Sequence, residues 1–195
     1  MPYVLPTSSS ATNANREGMK FMLELDSFLH EKYTDRNDVF NYPYSTFEPT
    51  KHEKNVDNVN TIPGNEIFYL DSRILPMYDL DSVIDDINTF IRDFEKRSKV
   101  HITYELLQKE QAPVPTGSDS EIVKVLSNSL RKIIGKEPRI VGIGGGTCAA
   151  FFRHEGIDAA VWSTLVPEVA HQADEYCIIE HVIQDYRVLS DIIYG

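Results

Sequence analysis

Only two cysteines, Cys148 and Cys177, occur in 195 residues, so no disulfide framework holds this chain together and a reducing, cytoplasmic compartment is expected. Lysine and arginine are scarce as well: 19 of them against 30 aspartates and glutamates leave a net charge of -11. Binding to a phosphate backbone rests on Lys and Arg, so nucleic acid is not an expected partner. No apolar run approaches the ~18 residues of a membrane span and no charged-then-apolar leader opens the sequence, so no membrane partner is expected either. Internal repeats are missing, and the only biased patch is Ser8 to Ser10. What is present is 42% hydrophobic, enough to pack one large domain or two small ones.

Residues 1–12, with two prolines and a Ser/Thr cluster, read as a loop or tail. Asn13 is a plausible N-cap for a helix running to about Tyr33, with Met22, Leu25 and Leu29 on one face. Tyr44 to Thr50, bounded by Pro43 and Pro49, suits an edge strand. Glu66 to Leu75 is the clearest strand: Phe68, Leu70 and Ile74 share one face, Ile67, Tyr69, Asp71 and Arg73 the other. An exposed Asp71–Arg73 ion pair is the simplest reading of that second face. Asp81 or Ser82 then caps a helix with an Ile84, Ile87, Phe90, Ile91, Phe94 stripe, and Val100 to Leu106 alternate as a further strand. Helix, strand, strand, helix, strand in that order implies an α+β domain, an antiparallel sheet with two helices on one face.

Pro113 and Pro115 make 111–117 the best linker in the chain. Beyond it, Ser118 with Glu121 forms a capping box for a helix closed by Gly135. A strand at 139–143, a glycine loop, a short helix to Arg153, a strand at 158–163, a loop with His171 and a last helix follow. This alternation is α/β grammar, but two short strands are too few for a sheet covered on both faces, so the segment reads as part of something larger.

The glycine loop, Gly142-x-Gly144-Gly145-Gly146-Thr147, is open to an anion or to a simple tight turn. A dinucleotide fingerprint needs Gly or Ala where Thr147 stands, and no Gly-Lys-Ser/Thr follows for a phosphate loop. Of six histidines, His30, His52, His101, His154 and His181 read as surface or packing residues, and only His171 sits where a functional group emerges from an α/β sheet. Catalytic zinc takes three protein ligands, and no His-x-Asp, His-x-x-x-His or Cys-x-x-Cys arrangement exists here. No Gly-x-Ser-x-Gly supports a serine nucleophile, and Cys148 reads as a small packed hydrophobe.

Four stretches together carry a resemblance: Asn60-Thr61-Ile62-Pro63-Gly64; Leu70-Asp71-Ser72-Arg73-Ile74-Leu75-Pro76; Gly144-Gly145-Gly146-Thr147 with Phe151-Phe152-Arg153; and Ala170-His171-Gln172-Ala173-Asp174-Glu175. In that order they resemble the C-terminal portion of the metallo-amidohydrolase and exopeptidase family of succinyl-diaminopimelate desuccinylase, acetylornithine deacetylase and glutamate carboxypeptidase. The resemblance implies a lid or dimerisation domain at 13–110, the linker 111–117, and at 118–195 an incomplete α/β catalytic-domain segment. It implies that Asn60, Arg73, Gly145, Gly146 and Thr147 bind a small carboxylate-bearing substrate. His171 would be a ligand to one of two zinc or cobalt ions.

The departures set further expectations. The family's His-x-Asp pair, bridging aspartate, Glu-Glu pair and further acidic ligand belong to an N-terminal region not found in these 195 residues, so neither tight metal binding nor activity is expected of this chain alone. No histidine precedes His30, where the lid's His-Ala-Ser-x-Pro segment is looked for, and Cys148-Ala149-Ala150 replaces the common acidic or glycine start after the threonine. The leading expectation is a partial chain of an amidohydrolase or exopeptidase that releases an acyl group or amino acid from an N-acyl amino acid or peptide. It would form a homodimer through the lid. The alternative is a non-catalytic dimerising or amino-acid-binding subunit that works with a separate N-terminal catalytic chain; a nucleotide-binding module is a third.

Overall fold

A computed structural model of the chain describes residues 12–166, 169–170 and 172–195. It divides into two compact units, one built from the residues up to Asn37 with Pro43–Gln111, the other from Asp38–Tyr42 with Ala112–Gly195.

In the first unit, Asn13 accepts a 3.1 Å hydrogen bond from the Arg16 amide and opens helix α1, Ala14–Lys32. Its apolar stripe places Met22, Leu25 and Leu29 inside. Strand β1, Thr46–His52, lies two residues later than the prolines suggest, because Pro49 falls within it and the register slips between Pro49 and Lys51. A residue with no N–H cannot complete the ladder, and a bulge absorbs the defect. Strand β2, Phe68–Arg73, pairs with β1 antiparallel, from Thr46 opposite Arg73 to His52 opposite Phe68. Helix α2, Leu80–Ser98, is capped by Asp79, not by Asp81 or Ser82: Asp79 Oδ2 accepts from both the amide and the hydroxyl of Ser82 at 2.9 Å. These bonds hold the Asp79 carboxyl below the usual carboxylate range.

One core joins these elements. Leu25, Leu29, Tyr33, Phe47 and Val83 form its centre, with Leu70, Ile74 and Phe90 packed against them. Aromatic rings link the helices: Phe28 stacks on Phe90 at 5.1 Å and Phe21 meets Phe94 edge-on at 5.2 Å. Gly18 allows α1 to lie close over β2, since a Cβ there would stand 2.6 Å from the Phe68 ring and 3.0 Å from Glu66 Cγ. The Tyr33 hydroxyl donates to Asp86, which also pairs with Lys32 at 2.6 Å. Burial and the Asp86 charge push the Tyr33 phenol well above its usual range, while the Lys32 hydrogen bond leads in pulling Asp86 down.

The strand expected over Val100–Leu106 does not form. Lys99 takes a left-handed φ of 59° that ends α2, and Glu95 Oε1 accepts from the Ile102 amide at 2.6 Å and contacts His101 Nδ1 at 2.8 Å. Tyr104 and Leu106 are half exposed. A strand needs a neighbouring strand for its N–H and C=O groups, and here the Ile102 amide is taken by a side chain. The first unit is therefore a small two-stranded antiparallel sheet with helices.

In the second unit, helix α3 spans Glu121–Ile134 with Ser120 at its N-cap. The expected capping box at Ser118 is absent: the helix starts two residues later and Ser120 makes no side-chain cap bond. Gly135, at φ 72°, closes it as expected. A short helix α4, Ala149–His154, is ended by Gly156 at φ 72°, and helix α5 covers Ile179–Tyr194. Helices α3 and α5 pack together, with Leu130 and Val188 buried, and are tied by Ser129 Oγ to the Val188 carbonyl at 3.2 Å and by a Lys132–Asp191 ion pair. Neither strand expected here forms. Within 139–143 only Gly142 bridges, in parallel, to Phe40, and in 158–163 the Ala159 backbone is held at both ends by the Thr116 hydroxyl, at 2.9 and 3.0 Å. Among the described residues no helix is long and apolar enough to cross a membrane.

Candidate functional site

The connection 53–67 between β1 and β2 carries Asn60. The Asn58 side chain accepts from the Asn60 amide at 3.2 Å and its carbonyl from the Thr61 amide at 3.0 Å, a local turn that leaves Asn60 exposed. Buried Pro63 fixes the far side of the turn by accepting from the Ala14 amide at the start of α1, at 3.1 Å. At the foot of the loop Glu53 accepts from Tyr69 Oη at 3.0 Å and pairs with Lys51 at 2.6 Å. The Lys51 hydrogen bond is the largest cause holding the Glu53 carboxyl below its usual range, and Lys51 is raised in return.

Arg73 stands at the opposite end of β2. Its Nε donates to Asp71 Oδ2 at 2.8 Å on a face where both side chains are about half exposed. The loop carrying Asn60 leaves the sheet at the His52–Phe68 pair, whereas Arg73 sits opposite Thr46. At about 3.4 Å per residue, the length of β2 puts roughly 17 Å between these two ends. No hydrogen bond or ion pair joins Asn60 to Arg73 among the described residues. An Asp71–Arg73 pair so exposed adds little to stability.

Gly145, Gly146 and Thr147 lie side by side in the second unit, ahead of α4. A Cβ added at Gly144, Gly145 or Gly146 would meet nothing within 4 Å, and the positive-φ glycines among the described residues are Gly135 and Gly156. Neither backbone strain nor close packing within the unit requires glycine there. The glycine that does pack is Gly142, where a Cβ would stand 2.6 Å from the Phe40 ring. Cys148 is exposed at the start of α4 instead of packed. A helix of six residues offers too weak a dipole to make the loop an anion site by itself.

His171 lies outside the described residues. Among the described residues no three His, Cys, Asp or Glu side chains are grouped to hold a metal ion, so these residues do not by themselves fit a metal centre. The segment before His171 is anchored nonetheless: Asp185 Oδ1 on α5 accepts from the Thr164 amide at 3.0 Å and its hydroxyl at 2.7 Å, and His181 Nδ1 lies 3.0 Å from the Thr164 carbonyl. His181 is thus a half-buried tether where its charged neighbours suggest solvent. The sequence also hides His52, which pairs with Glu66 and stacks on Phe68 at 5.0 Å. No motif marks it, because residues 52 and 66 become neighbours only when the strands pair.

Residues 7–99 match the model of the peptidase dimerisation domain. The sequence is 37% identical to an uncharacterised metallohydrolase of Methanocaldococcus jannaschii, over 96% of this chain and 47% of the relative. It is 38% identical to an uncharacterised metallohydrolase of Methanococcus maripaludis, over 93% and 46%, and 25% identical to an acetylornithine deacetylase of Arabidopsis thaliana, over 94% and 46%. The fold is similar to that of an M20 family metallo-carboxypeptidase from Sulfolobus solfataricus, with a TM-score of 0.56 over 95% of this chain and 45% of the other, at 20% identity. The chain spans about half the length of the curated relatives it matches. Residues 7–99 are thus similar in sequence to the M20 peptidase dimerisation domain, and the fold of the chain is similar to that of an M20 family structure.

Proposed function

We propose that this chain is the lid and C-terminal catalytic portion of a metal-dependent amidohydrolase or exopeptidase, which releases an acyl group or an amino acid from an N-acyl amino acid or peptide. The observation that carries this reading is the joint match: the dimerisation domain over 7–99, and metallohydrolase relatives that align beyond it through 93–96% of the chain. The similarity to acetylornithine deacetylases favours an amide of an amino acid as substrate. In this reading 13–110 is the lid, 111–117 the linker and 118–195 the catalytic part.

Arg73 and Asn60 then bind the substrate's carboxylate end or backbone. Arg73 offers a planar donor fork suited to a carboxylate, and Asn60 an exposed side-chain amide on a turn held at Asn58 and Pro63. Gly145, Gly146 and Thr147 supply backbone and hydroxyl donors with no side chain in the way. His171 serves as a metal ligand, and zinc or cobalt would polarise the amide carbonyl and activate water when bound. The remaining ligands and the general base come from the half of the relatives that has no counterpart here, so the isolated chain does not turn over substrate.

The test is a zinc and cobalt titration with activity assays on N-succinyl, N-acetyl and dipeptide substrates, for this chain alone and with the matching N-terminal half of a relative. Activity only in the combined sample supports the reading. Turnover by the isolated chain with stoichiometric metal contradicts the division of the site. Tight amino-acid binding with no turnover in either sample would favour a non-catalytic subunit.

A further inference from the structure

At the foot of the connection that carries Asn60 lies a carboxylate that nothing in the proposed chemistry uses. The Glu66 side chain is 4% exposed, although it stands between a surface loop and the sheet. One of its oxygens meets His52 Nε2 at the end of β1 and the other accepts from Asn55 Nδ2 in the loop. The His52 ring is itself fixed by stacking on Phe68, at 5.0 Å and 30° between planes. Gly18 of α1 closes the other side, 3.0 Å from Glu66 Cγ by the position of an added Cβ.

Burial of a carboxylate costs free energy unless both oxygens are engaged, and an apolar side chain of the same volume would hold the sheet as well or better. What the carboxylate adds is geometry. It joins three points separated in sequence: the end of β1, the start of the loop and the start of β2. The loop is then fixed at its foot by Glu66 and by the Glu53 amide donating to the Ile67 carbonyl at 3.0 Å, and at its far side by Pro63 and Ala14. Between these points lie residues 56–62, Asn60 among them.

We propose that Glu66 is the positioning residue for Asn60, setting through Asn55 and His52 the direction in which the loop presents its amide side chain. The proposal rests on the reading of Asn60 as a substrate ligand for its functional meaning, but not for its structural content. Glu66→Met fills the same space with no acceptor, Glu66→Gln keeps one oxygen, and Asn55→Ala removes only the loop-side bond.

Backbone order parameters from ¹⁵N relaxation on the intact chain read the result. In the wild type the Asn60 amide is expected near the rigid value of about 0.85. In Glu66→Met it falls below about 0.6 while amides of α1 and β2 stay rigid, and Glu66→Gln recovers part of the difference. A merely structural Glu66 would lower the melting temperature and leave Asn60 rigid in the folded protein; that result, or an Asn60 already mobile in the wild type, overturns the proposal. Should Glu66→Met not fold, Asn55→Ala decides, with loosening over 56–62 expected and unchanged order contradicting. Asn60→Ala with an unchanged KM in the combined enzyme would sink Asn60 as a ligand and leave the role of Glu66 over the loop standing.

Discussion

The two units bury their apolar residues to different degrees. The first encloses Leu29, Phe47 and Phe94 almost completely, and its two helices and two strands share one core. Among the described residues of the second, Val188 is the large apolar side chain that reaches that depth, while α5 leaves Ile179, Tyr186 and Ile193 about 70% exposed and α4 does the same with Phe151. An apolar stripe of that kind in a helix marks a face meant for a neighbour. One unit is stabilised by its own side chains; the other holds its helices together and leaves a face for something else.

The largest effect expected from this contrast is in the first core. Phe47→Ala or Leu29→Ala should cost about 2–5 kcal/mol, read as a lowered midpoint of urea unfolding. Tyr186→Lys with Ile193→Lys on α5 should instead leave stability within about 0.5 kcal/mol and reduce binding of a hydrophobic dye. A large loss from the α5 pair would mean that this face is already used within the unit.

Gly18→Ala gives a sharper probe of how tightly the first unit is packed. In an exposed helix the change would stabilise by up to about 1 kcal/mol. Here the added methyl meets the Phe68 ring, so the sign reverses, with a loss of about 1–3 kcal/mol in the same assay.

Next in size is the pH dependence contributed by the first unit's Lys32–Asp86–Tyr33 cluster. Asp86 is held below its unfolded value, so its contribution is present above pH about 4 and is lost as pH falls through the folded value. Tyr33 is raised, so the folded state keeps a proton that the unfolded chain releases, and stability falls as pH rises above about 10. Melting temperature against pH should show both limbs, and Tyr33→Phe should make the alkaline one shallower.

The smallest effect on stability is expected at the candidate site. Arg73→Ala breaks only an exposed pair, so unfolding should shift by no more than about 1 kcal/mol, while KM of the combined enzyme rises many-fold. A change in stability with unchanged kinetics would return Arg73 to the role of a surface ion pair.

Local patterns made the helices legible: the stripes of α1, α2, α3 and α5 and the caps at Asn13 and Gly135 need only neighbours within a turn or two. Strand β2 was legible because its alternation coincides with a real partner in β1. The equally good alternation at 100–106 was not enough, since no edge receives it and Glu95 takes the Ile102 amide instead. The same holds for 139–143, where a single bridge at Gly142 replaces a strand. At the site, the Asp71–Arg73 pairing follows from a period of two, but Glu66 with His52 and Asn55 depends on the register of β1 against β2, which no local pattern carries.

Sedimentation equilibrium of the intact chain beside its Tyr186→Lys, Ile193→Lys variant tests most directly whether the first unit is the dimerising one. The account predicts a dimer in both samples, with the association constant unchanged by the α5 substitutions. A variant that sediments as a monomer where the wild type is a dimer would place the association on α5 and contradict it, and so would a wild-type chain that is monomeric at every concentration.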